Sequence, residues 1–261
     1  MGSKTQNASQ PEMSYFEIQA HMGTTKHLGG FDTTRELIGR CQIDGDDYVL
    51  EVGCGVGATA CYLAKHYGCR VMGVDLRESM IARANERAER EGVRDVVEFR
   101  VADAQSLPFD DGTFDVVFCE SVATFIEDKQ RVANELVRVT GPGGRVGLNE
   151  EVWLKPPPDE LAEQVKALWA IEPDIPTAVD WLAWLGNAGL RDVEHTVYEF
   201  DTRREATQLK RYRFRDIFLM FYRTLLLLLR SAAFRAYMSG RKRAPKDLFK
   251  YFGYALFVGT R

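Results

Sequence analysis

The sequence predicts an α/β fold of the doubly wound kind, in which helices cover both faces of a mostly parallel sheet. Residues 48–51 have the pattern of a short buried strand that ends on a carboxylate, Glu51. Glycines then occupy every second position from 53 to 57, and apolar residues recur at helical spacing over 60–67. A strand, a glycine turn and a helix in this order open such folds, and ligands bind where the strand ends.

After this unit, strand patterns and helix patterns alternate along the chain, which is typical of a parallel sheet. A capped helix start is expected at residues 32–36, ahead of the first strand. A further helix is expected at residues 161–171, behind a rigid connector of three prolines. The expected strands are 70–75, 96–101, 114–119 and 145–152, and the helices between them are 77–91 and 127–139.

Length and composition are those of an ordinary globular protein, and 261 residues suffice for one large domain or a domain with an insertion. Residues 1–12 are small and polar and are expected to form a disordered tail. No secretory leader is expected, because the start of the chain lacks an apolar segment behind a basic one. The five cysteines are odd in number and show no metal-ligand spacing. They therefore favour a reducing cytoplasm and predict no metal site.

The glycine turn differs from a dinucleotide-binding fingerprint. That fingerprint is G-x-G-x-x-G, with the pyrophosphate resting on a helix N-terminus. Here the pattern is E-x-G-x-G-x-G, so that Glu51 stands where a diphosphate would be repelled and a cationic amine attracted. A nicotinamide-dependent dehydrogenase is therefore the less favoured interpretation of this turn.

The residues around the turn resemble the class I S-adenosylmethionine-dependent methyltransferases, in the pattern of the methyltransferase type 11 or ubiquinone-menaquinone C-methyltransferase-like enzymes. Residues 49–59 match the first motif of that family, and the match continues in order over residues 35 to 155. The resemblance implies that S-adenosylmethionine is the cofactor. It implies contacts with three parts of this cofactor: Glu51, Gly53 and Gly55 for the methionine, Asp75 for the ribose hydroxyls, and Asp103 and Ala104 for the adenine. Leu76, next to Asp75, is a further expected cofactor contact.

The resemblance also implies the rest of the architecture, a Rossmann-like sheet of seven strands. Residues 193–200 match the sixth strand and residues 251–260 the last, which is antiparallel in the family. Residues 13–42 are expected to form an N-terminal lid and helices, and residues 43–261 the methyltransferase domain. Between the last two strands, where the family needs only a turn, a helical cap insert is expected at residues 203–250.

Two residues are candidates for catalysis. Glu120 follows the fourth strand, together with Ser121 and Thr124, where the family presents groups to the methyl acceptor. The same carboxylate could instead line the cofactor pocket, and both roles stay open. His27 lies in a His-Leu-Gly-Gly element that resembles one ahead of the first motif in sterol and tocopherol methyltransferases. A merely solvated turn is its other interpretation, and His21 is the other upstream histidine that a lid could bring close.

The insert has a charge opposite to that of the remaining chain. Residues 203–250 contain fourteen Lys/Arg and three Asp/Glu, a net charge of +11, and the other residues carry −15, giving −4 in total. Its apolar run at 217–229 is too short to span a bilayer, which takes about 20 apolar residues. Two interpretations are open: a cap helix or homodimer contact, and a peripheral membrane surface formed by residues 210–243.

The predicted function is methyl transfer to a small-molecule or lipid-like acceptor. The alternative is a methyltransferase acting on RNA, for which the basic insert is suggestive. Against nucleic acid stands the segment after the fourth strand, which reads Glu-Ser-Val-Ala rather than Asn/Asp-Pro-Pro-aromatic.

Overall fold

The computed structural model describes residues 15–169, 175–240, 244–245 and 247–261 of the chain. The tail predicted at residues 1–12, the first residues of the predicted lid and the end of the helix predicted at 161–171 lie outside these residues.

The centre of the fold is a seven-stranded sheet with the strand order β3-β2-β1-β4-β5-β7-β6. Strands β1 to β5 pair in parallel, and β7 runs antiparallel to both β5 and β6. The predicted mostly parallel sheet with an antiparallel last strand is thus confirmed. The strands are β1 (Tyr48–Val52), β2 (Arg70–Asp75), β3 (Val97–Val101), β4 (Phe114–Glu120), β5 (Thr140–Trp153), β6 (Arg191–Glu199) and β7 (Phe252–Thr260).

Helices pack on both faces of the sheet and bury two separate apolar cores. One core lies under α5 and α7, where Leu136 and Trp181 are fully buried; the other lies under α2, α3 and α4, with Leu37 and Leu63. The helices are α1 (Tyr15–Met22), α2 (Gly30–Cys41), α3 (Ala58–Tyr67), α4 (Glu78–Glu91), α5 (Lys129–Val139), α6 (Asp159–Trp169), α7 (Ala178–Asn187), α8 (Thr202–Ala206), α9 (Phe214–Arg230) and α10 (Ala232–Gly240).

Several predicted boundaries differ from the observed ones, and two of the differences have a clear structural reason. Helix α2 begins at Gly30 rather than at residue 32, because Gly29 takes a left-handed φ of 82° and directs the chain into the helix without a side-chain cap. Strand β5 begins at Thr140 rather than at 145: Thr140 pairs with Phe114 and Arg145 with Val116. The glycine-rich residues 141–144 therefore form a bulge inside the strand instead of a turn before it.

Ion pairs connect the insert to the core, and in three of them the insert supplies the cation. Arg204 pairs with Glu36 at 3.3 Å, Lys210 with Asp32 at 3.6 Å, and Arg223 with Glu86 at 3.8 Å. A further ion pair has the opposite polarity, because here the insert supplies the anion: the buried Asp216 at the start of α9 accepts from Arg90 of α4 at 2.7 Å.

Helix α9 packs on α1 and α10 and leaves a broad apolar stripe uncovered. No described helix is long and apolar enough to cross a membrane alone, although α9 and α10 together, bent by 101°, meet that criterion of length and composition. The large apolar side chains of the stripe recur every three or four residues and are 41–85% exposed: Phe214, Phe218, Phe221, Tyr222, Leu225, Leu228 and Leu229.

Candidate active site

The glycine turn after β1 is built so that its backbone is open to a ligand. Gly53, Gly55 and Gly57 have φ angles of 74°, 51° and 70°, in the left-handed region that favours glycine. A Cβ on Gly55 would lie 2.5 Å from Cγ2 of Thr25, and one on Gly53 would overlap Val122. The N-terminal segment and the loop after β4 therefore approach the turn as closely as only glycine permits.

Asp75, at the end of β2, faces the same turn. Its Oδ2 accepts from the backbone N–H of Gly55 at 3.0 Å and its Oδ1 from that of Arg77 at 2.9 Å. Burial raises the pKa of this carboxyl group, and the two backbone donors partly offset the effect. Asp75 is thus held at the end of its strand with its oxygens directed across the site.

Glu51 is buried beneath the turn, with 5% of its surface exposed. Burial, reinforced by the nearby Glu120, raises the pKa of its carboxyl group to about 8. Its Oε2 has no hydrogen-bond partner among the described residues. A buried acceptor without a donor costs about 1–3 kcal/mol, so the site is suited to a ligand that brings a cationic donor.

His27 is fully buried in a polar network beside Glu120. Its Nδ1 lies 3.1 Å from the carbonyl of Leu28, which can only accept, so this nitrogen carries the proton. Its Nε2 accepts from Arg211 at 3.0 Å and lies 3.0 Å from the Thr34 hydroxyl. Burial, with a further contribution from Arg211, lowers the pKa of the ring, so that the imidazole is neutral.

Thr34 connects this histidine to Glu120. Its hydroxyl donates to both oxygens of Glu120, at 3.1 and 3.3 Å, and the carboxylate lies 4.0 Å from Nε2 of His27. Asn149 of β5 supports the other side of the ring, because its amide donates to the Leu28 carbonyl at 3.1 Å.

Most of the predicted site residues line one cavity of about 540 Å³, a volume that includes space open to solvent. It does not include Leu76, Asp103 or Ala104. Leu76 is 62% exposed, and Asp103 accepts from the backbone N–H of Gln105 at 2.9 Å beyond the cavity edge. The predicted site residues that line it are His27, Glu51, Gly53, Gly55, Asp75 and Glu120.

Several polar residues of the site were not predicted. Arg211 of the insert and Thr25 both line the cavity, and Thr34 and Asn149 complete the network around His27. No local pattern marks them, because each comes from a different element.

The other histidines lie outside the site. His21 is exposed and outside the cavity, whereas His66 stacks on Tyr62 and His195 on Phe257, as ordinary packing predicts. No group of three His, Cys, Asp or Glu side chains in the described part of the chain could hold a metal ion.

Comparison with known proteins agrees with this geometry. A family profile described as "Methyltransferase domain" matches residues 50–148. An uncharacterized protein of Haemophilus influenzae is 31% identical over 67% of this chain and 71% of its own. The phosphoethanolamine N-methyltransferase 1 of Triticum aestivum is 34% identical over 63% of this chain, and the match spans only 32% of that longer protein. The tocopherol O-methyltransferase of Arabidopsis thaliana is 40% identical over 38% of this chain and 28% of its own.

Solved structures share the whole fold. Phosphoethanolamine N-methyltransferase 2 of Haemonchus contortus, in complex with S-adenosyl-L-methionine, superposes with a TM-score of 0.73 at 21% identity. That match covers 97% of this chain and 58% of the other. Geranyl diphosphate C-methyltransferase of Streptomyces coelicolor A3(2) gives a TM-score of 0.63 at 22% identity, covering 88% and 79%.

A seven-stranded sheet of this order, with an acidic glycine turn at the end of its first strand, defines a class I methyltransferase fold. The chain belongs to the class I S-adenosylmethionine-dependent methyltransferases. It is an enzyme of that class, and the predicted cofactor, S-adenosylmethionine, is the one bound in a solved structure of the same fold. The Oε2 atom of Glu51, which has no hydrogen-bond donor among the described residues, and the open glycine backbone fit the amino-acid end of S-adenosylmethionine.

Proposed function

We propose that this protein transfers the methyl group of S-adenosylmethionine to a small or lipid-like acceptor whose reacting atom lies beside Glu120 and His27. One observation carries the proposal: Glu120 and His27, which Thr34 connects by hydrogen bonds, line the same cavity as the glycine turn and Asp75. Methyl transfer from a sulfonium is an in-line displacement, so positioning contributes most and a base is needed only for protonated acceptors.

The cofactor contacts follow the order of the strands. Glu51 with the backbone of Gly53 and Gly55 would hold the methionine end, and Asp75 the two ribose hydroxyls. Leu76, Asp103 and Ala104 lie at the ends of the next elements, and Ala102 donates its N–H to the carbonyl of Asp75 at 3.0 Å. The adenine would then extend along this outer edge, beyond the enclosed part of the cavity.

Glu120 and the neutral His27 supply the two groups that could accept a proton from the acceptor. Glu120 is 6% exposed in its side chain, so its charge acts in a poorly screened environment. The Nδ1–H of His27 is fixed by the Leu28 carbonyl, which leaves Nε2 as the nitrogen that can take a proton once it gives up its hydrogen bond from Arg211. We assign Glu120 to contact with the acceptor and His27 to hold or accept the proton.

Small acceptors are supported by what related enzymes act on. The names of the relatives and structural neighbours mention phosphoethanolamine, tocopherol and geranyl diphosphate, and two of these three carry long apolar chains. An apolar cluster also covers the carboxyl end of β5 and the adjacent amino end of β7, where an acceptor would enter. Its members include Leu28, Phe125, Trp153, Leu161 and Phe252.

The activity is tested by transfer of a labelled methyl group from S-adenosylmethionine to defined acceptors: phosphoethanolamine, tocopherol precursors, prenylated quinols and short RNA. We expect turnover with one of the small acceptors and none with RNA. His27→Ala and Glu120→Gln should lower kcat by about 10²-fold or more, the usual contribution of a positioned acid or base. His21→Ala, an exposed histidine outside the cavity, is the matched control. Turnover that is unchanged in both site variants would refute their proposed roles.

We further propose that the exposed stripe of α9 rests on a membrane surface, which would suit an acceptor dissolved in lipid. The stripe is interrupted by no acidic residue, and the exposed Arg213, Arg215 and Arg230 stand at its two ends. A monomer rarely leaves so large a contiguous apolar surface in water. Apolar burial combined with flanking arginines is the pattern of helices that lie in the plane of an anionic bilayer interface.

Vesicle co-sedimentation tests this surface. We expect binding to vesicles of phosphatidylserine and phosphatidylcholine at low salt, weakened at high salt, because each basic residue near an anionic surface contributes roughly 1 kcal/mol. Phe218→Ser with Leu225→Ser should abolish binding, whereas Val179→Ser, at a 72% exposed apolar residue of α7, should not. A protein that ignores vesicles and sediments as a dimer, which the double variant dissociates, would assign the stripe to a homodimer contact instead.

A further inference from the structure

Arg211, at the end of the short helical turn Thr207–Arg211 of the insert, has a guanidinium group inside the cofactor cavity. Its Nη2 donates to the carbonyl and hydroxyl oxygens of Thr25, at 3.0 and 3.1 Å. Its Nη1 reaches His27 at 3.0 Å and the hydroxyl of Thr59 at 3.4 Å. The guanidinium thus touches the N-terminal segment, the catalytic histidine candidate and the first turn of α3 together.

All these hydrogen-bond partners are neutral, so no anion touches the guanidinium directly, although its charge acts on Glu51 of the same cavity. Among the described residues, no carboxylate oxygen lies within 4.0 Å of its guanidinium, and its buried Nε has no hydrogen-bond partner. A buried or half-buried arginine is normally paired with an anion, because moving an unpaired charge out of water is costly. The arrangement therefore lacks an anion.

The charges around the cavity indicate where that anion comes from. Glu51, Asp75 and Glu120 make the lining acidic, and of its two basic residues Lys26 is exposed and faces Glu205. An acidic lining suits the ammonium and sulfonium groups of S-adenosylmethionine but repels its carboxylate. Thr59, which Arg211 contacts, lies in the first turn of α3 immediately after the glycine turn, where the methionine end would lie.

We propose that Arg211 binds the carboxylate of the cofactor's methionine moiety, so that the insert between β6 and β7 completes a site otherwise built by the sheet. The inference rests on the proposed cofactor contacts of the glycine turn. Four of the five guanidinium N–H groups are directed at Thr25, His27 and Thr59, and the remaining Nε–H is the donor that one carboxylate oxygen could accept. Because Arg211 comes three residues before α9, cofactor binding would also fix the insert against the N-terminal segment.

Isothermal calorimetry with S-adenosylmethionine and its decarboxylated analogue tests the assignment, because the analogue keeps the sulfonium and the amine and lacks only the carboxylate. The wild-type protein should bind S-adenosylmethionine more tightly than the analogue. Arg211→Gln should weaken binding of S-adenosylmethionine about ten- to a hundredfold and leave the analogue within about twofold, as expected for one charge-assisted contact. Lys210→Gln removes a neighbouring exposed charge and should change neither affinity.

Equal weakening of both ligands by Arg211→Gln, or no weakening of either, would overturn the proposal; the second result would assign Arg211 to an anionic acceptor. Circular dichroism and the melting temperature establish that the variant is folded. If it is not, Arg211→Lys replaces it, and it should weaken only S-adenosylmethionine, by less than glutamine does. A wild-type protein that binds neither ligand would instead refute the proposed cofactor contacts themselves.

Discussion

Two adjacent glutamates on β5 show, at the level of single residues, that the hydrogen-bond partners of a buried carboxylate determine its effect on stability. Glu150 accepts from the backbone N–H groups of Val122, Ala123 and Thr124, at 3.2, 3.0 and 2.9 Å, and from the Thr124 hydroxyl at 2.7 Å. It thereby holds the loop that carries the acceptor side of the site. Glu151, the next residue of the strand, is 7% exposed, and its Oε2 has no partner among the described residues.

We predict opposite effects of removing these two charges. Glu150→Ala should lower the free energy of unfolding by about 3 kcal/mol or more, because several buried N–H donors lose their acceptor. Glu151→Gln should be neutral or stabilising, since a neutral amide costs less to bury than a carboxylate. Urea denaturation monitored by circular dichroism measures both, and the reverse ranking would contradict the assignment of Glu150 as the anchor of the loop.

Asp75 gives the second prediction at this scale. It holds the glycine turn through Gly55 and faces the cavity, so Asp75→Ala should weaken S-adenosylhomocysteine binding at least tenfold. The expected loss is on the order of 1.5–3 kcal/mol, the size of a charge-assisted hydrogen bond. Calorimetry measures it, with Glu98→Ala on the neighbouring strand as the control. Unchanged affinity in Asp75→Ala would remove the ribose assignment.

At the scale of elements, α9 is attached to the core mainly at its first turn. Asp216 is 6% exposed and accepts from Arg90 at 2.7 Å, from Arg87 at 3.5 Å and from the backbone N–H of Arg213 at 3.1 Å. The remaining length of the helix packs on α1 and α10 and reaches α4 again through the more exposed Arg223–Glu86 pair at 3.8 Å, so Asp216 forms the buried connection of the insert to α4.

Breaking that pair should release the helix. Asp216→Ala leaves Arg90 without its anion and Arg87 with Glu91 alone, and removing one partner of a buried ion pair costs about 3–5 kcal/mol. Hydrogen exchange should accelerate throughout α9 and α1 while β1, β4 and β5 stay protected. Asp247→Ala, which removes an exposed pair with Lys250, is the control and should leave exchange in α9 unchanged. Uniform acceleration across the sheet would show that α9 does not open as a separate unit.

The whole molecule buries several carboxyl groups in one site, and its stability should therefore depend on pH. Burial raises the pKa of Glu51 to about 8 and that of Glu151 to about 7, above the 4.5 of an unfolded chain. The folded state then binds more protons than the unfolded state at neutral pH, so stability falls as pH rises. The lowered pKa of His27 acts in the opposite direction only below about 6.5, where an unfolded histidine gains its proton.

We accordingly expect the melting temperature of the cofactor-free protein to fall between pH 6.5 and 8.5. Glu51→Gln should flatten this dependence, because the amide carries no titrating proton, and saturating S-adenosylmethionine should flatten it as well by supplying a cation to the carboxylate. Differential scanning fluorimetry over that pH range measures the effect. A melting temperature that rises with pH in the wild type would show that Glu51 is ionised and compensated without the cofactor.

The sequence alone determined the features that depend on neighbouring residues. The strand, glycine turn and helix at 48–67 and the regular alternation after them were predictable, because a period of two or 3.6 residues and the φ freedom of glycine are local properties. The residues of the family motifs, Glu51, Gly53, Gly55, Asp75 and Glu120, could be named on the same basis. The cavity brings them together because the carboxyl ends of parallel strands share one edge of the sheet.

Features that depend on contacts between distant segments could be seen only in the folded structure. Arg211 and Thr25 are far apart in sequence, as are Asn149 and His27, and no periodicity predicts that they meet. The sequence of the apolar run of α9 does not indicate which side is buried; its packing on α1 and α10 and its ion pair with α4 determine which side stays exposed. The start of β5 at Thr140 likewise follows from its pairing with Phe114 rather than from the glycines behind it. In each case the energy that selects the arrangement comes from burial and charge pairing across the fold, which a local pattern does not contain.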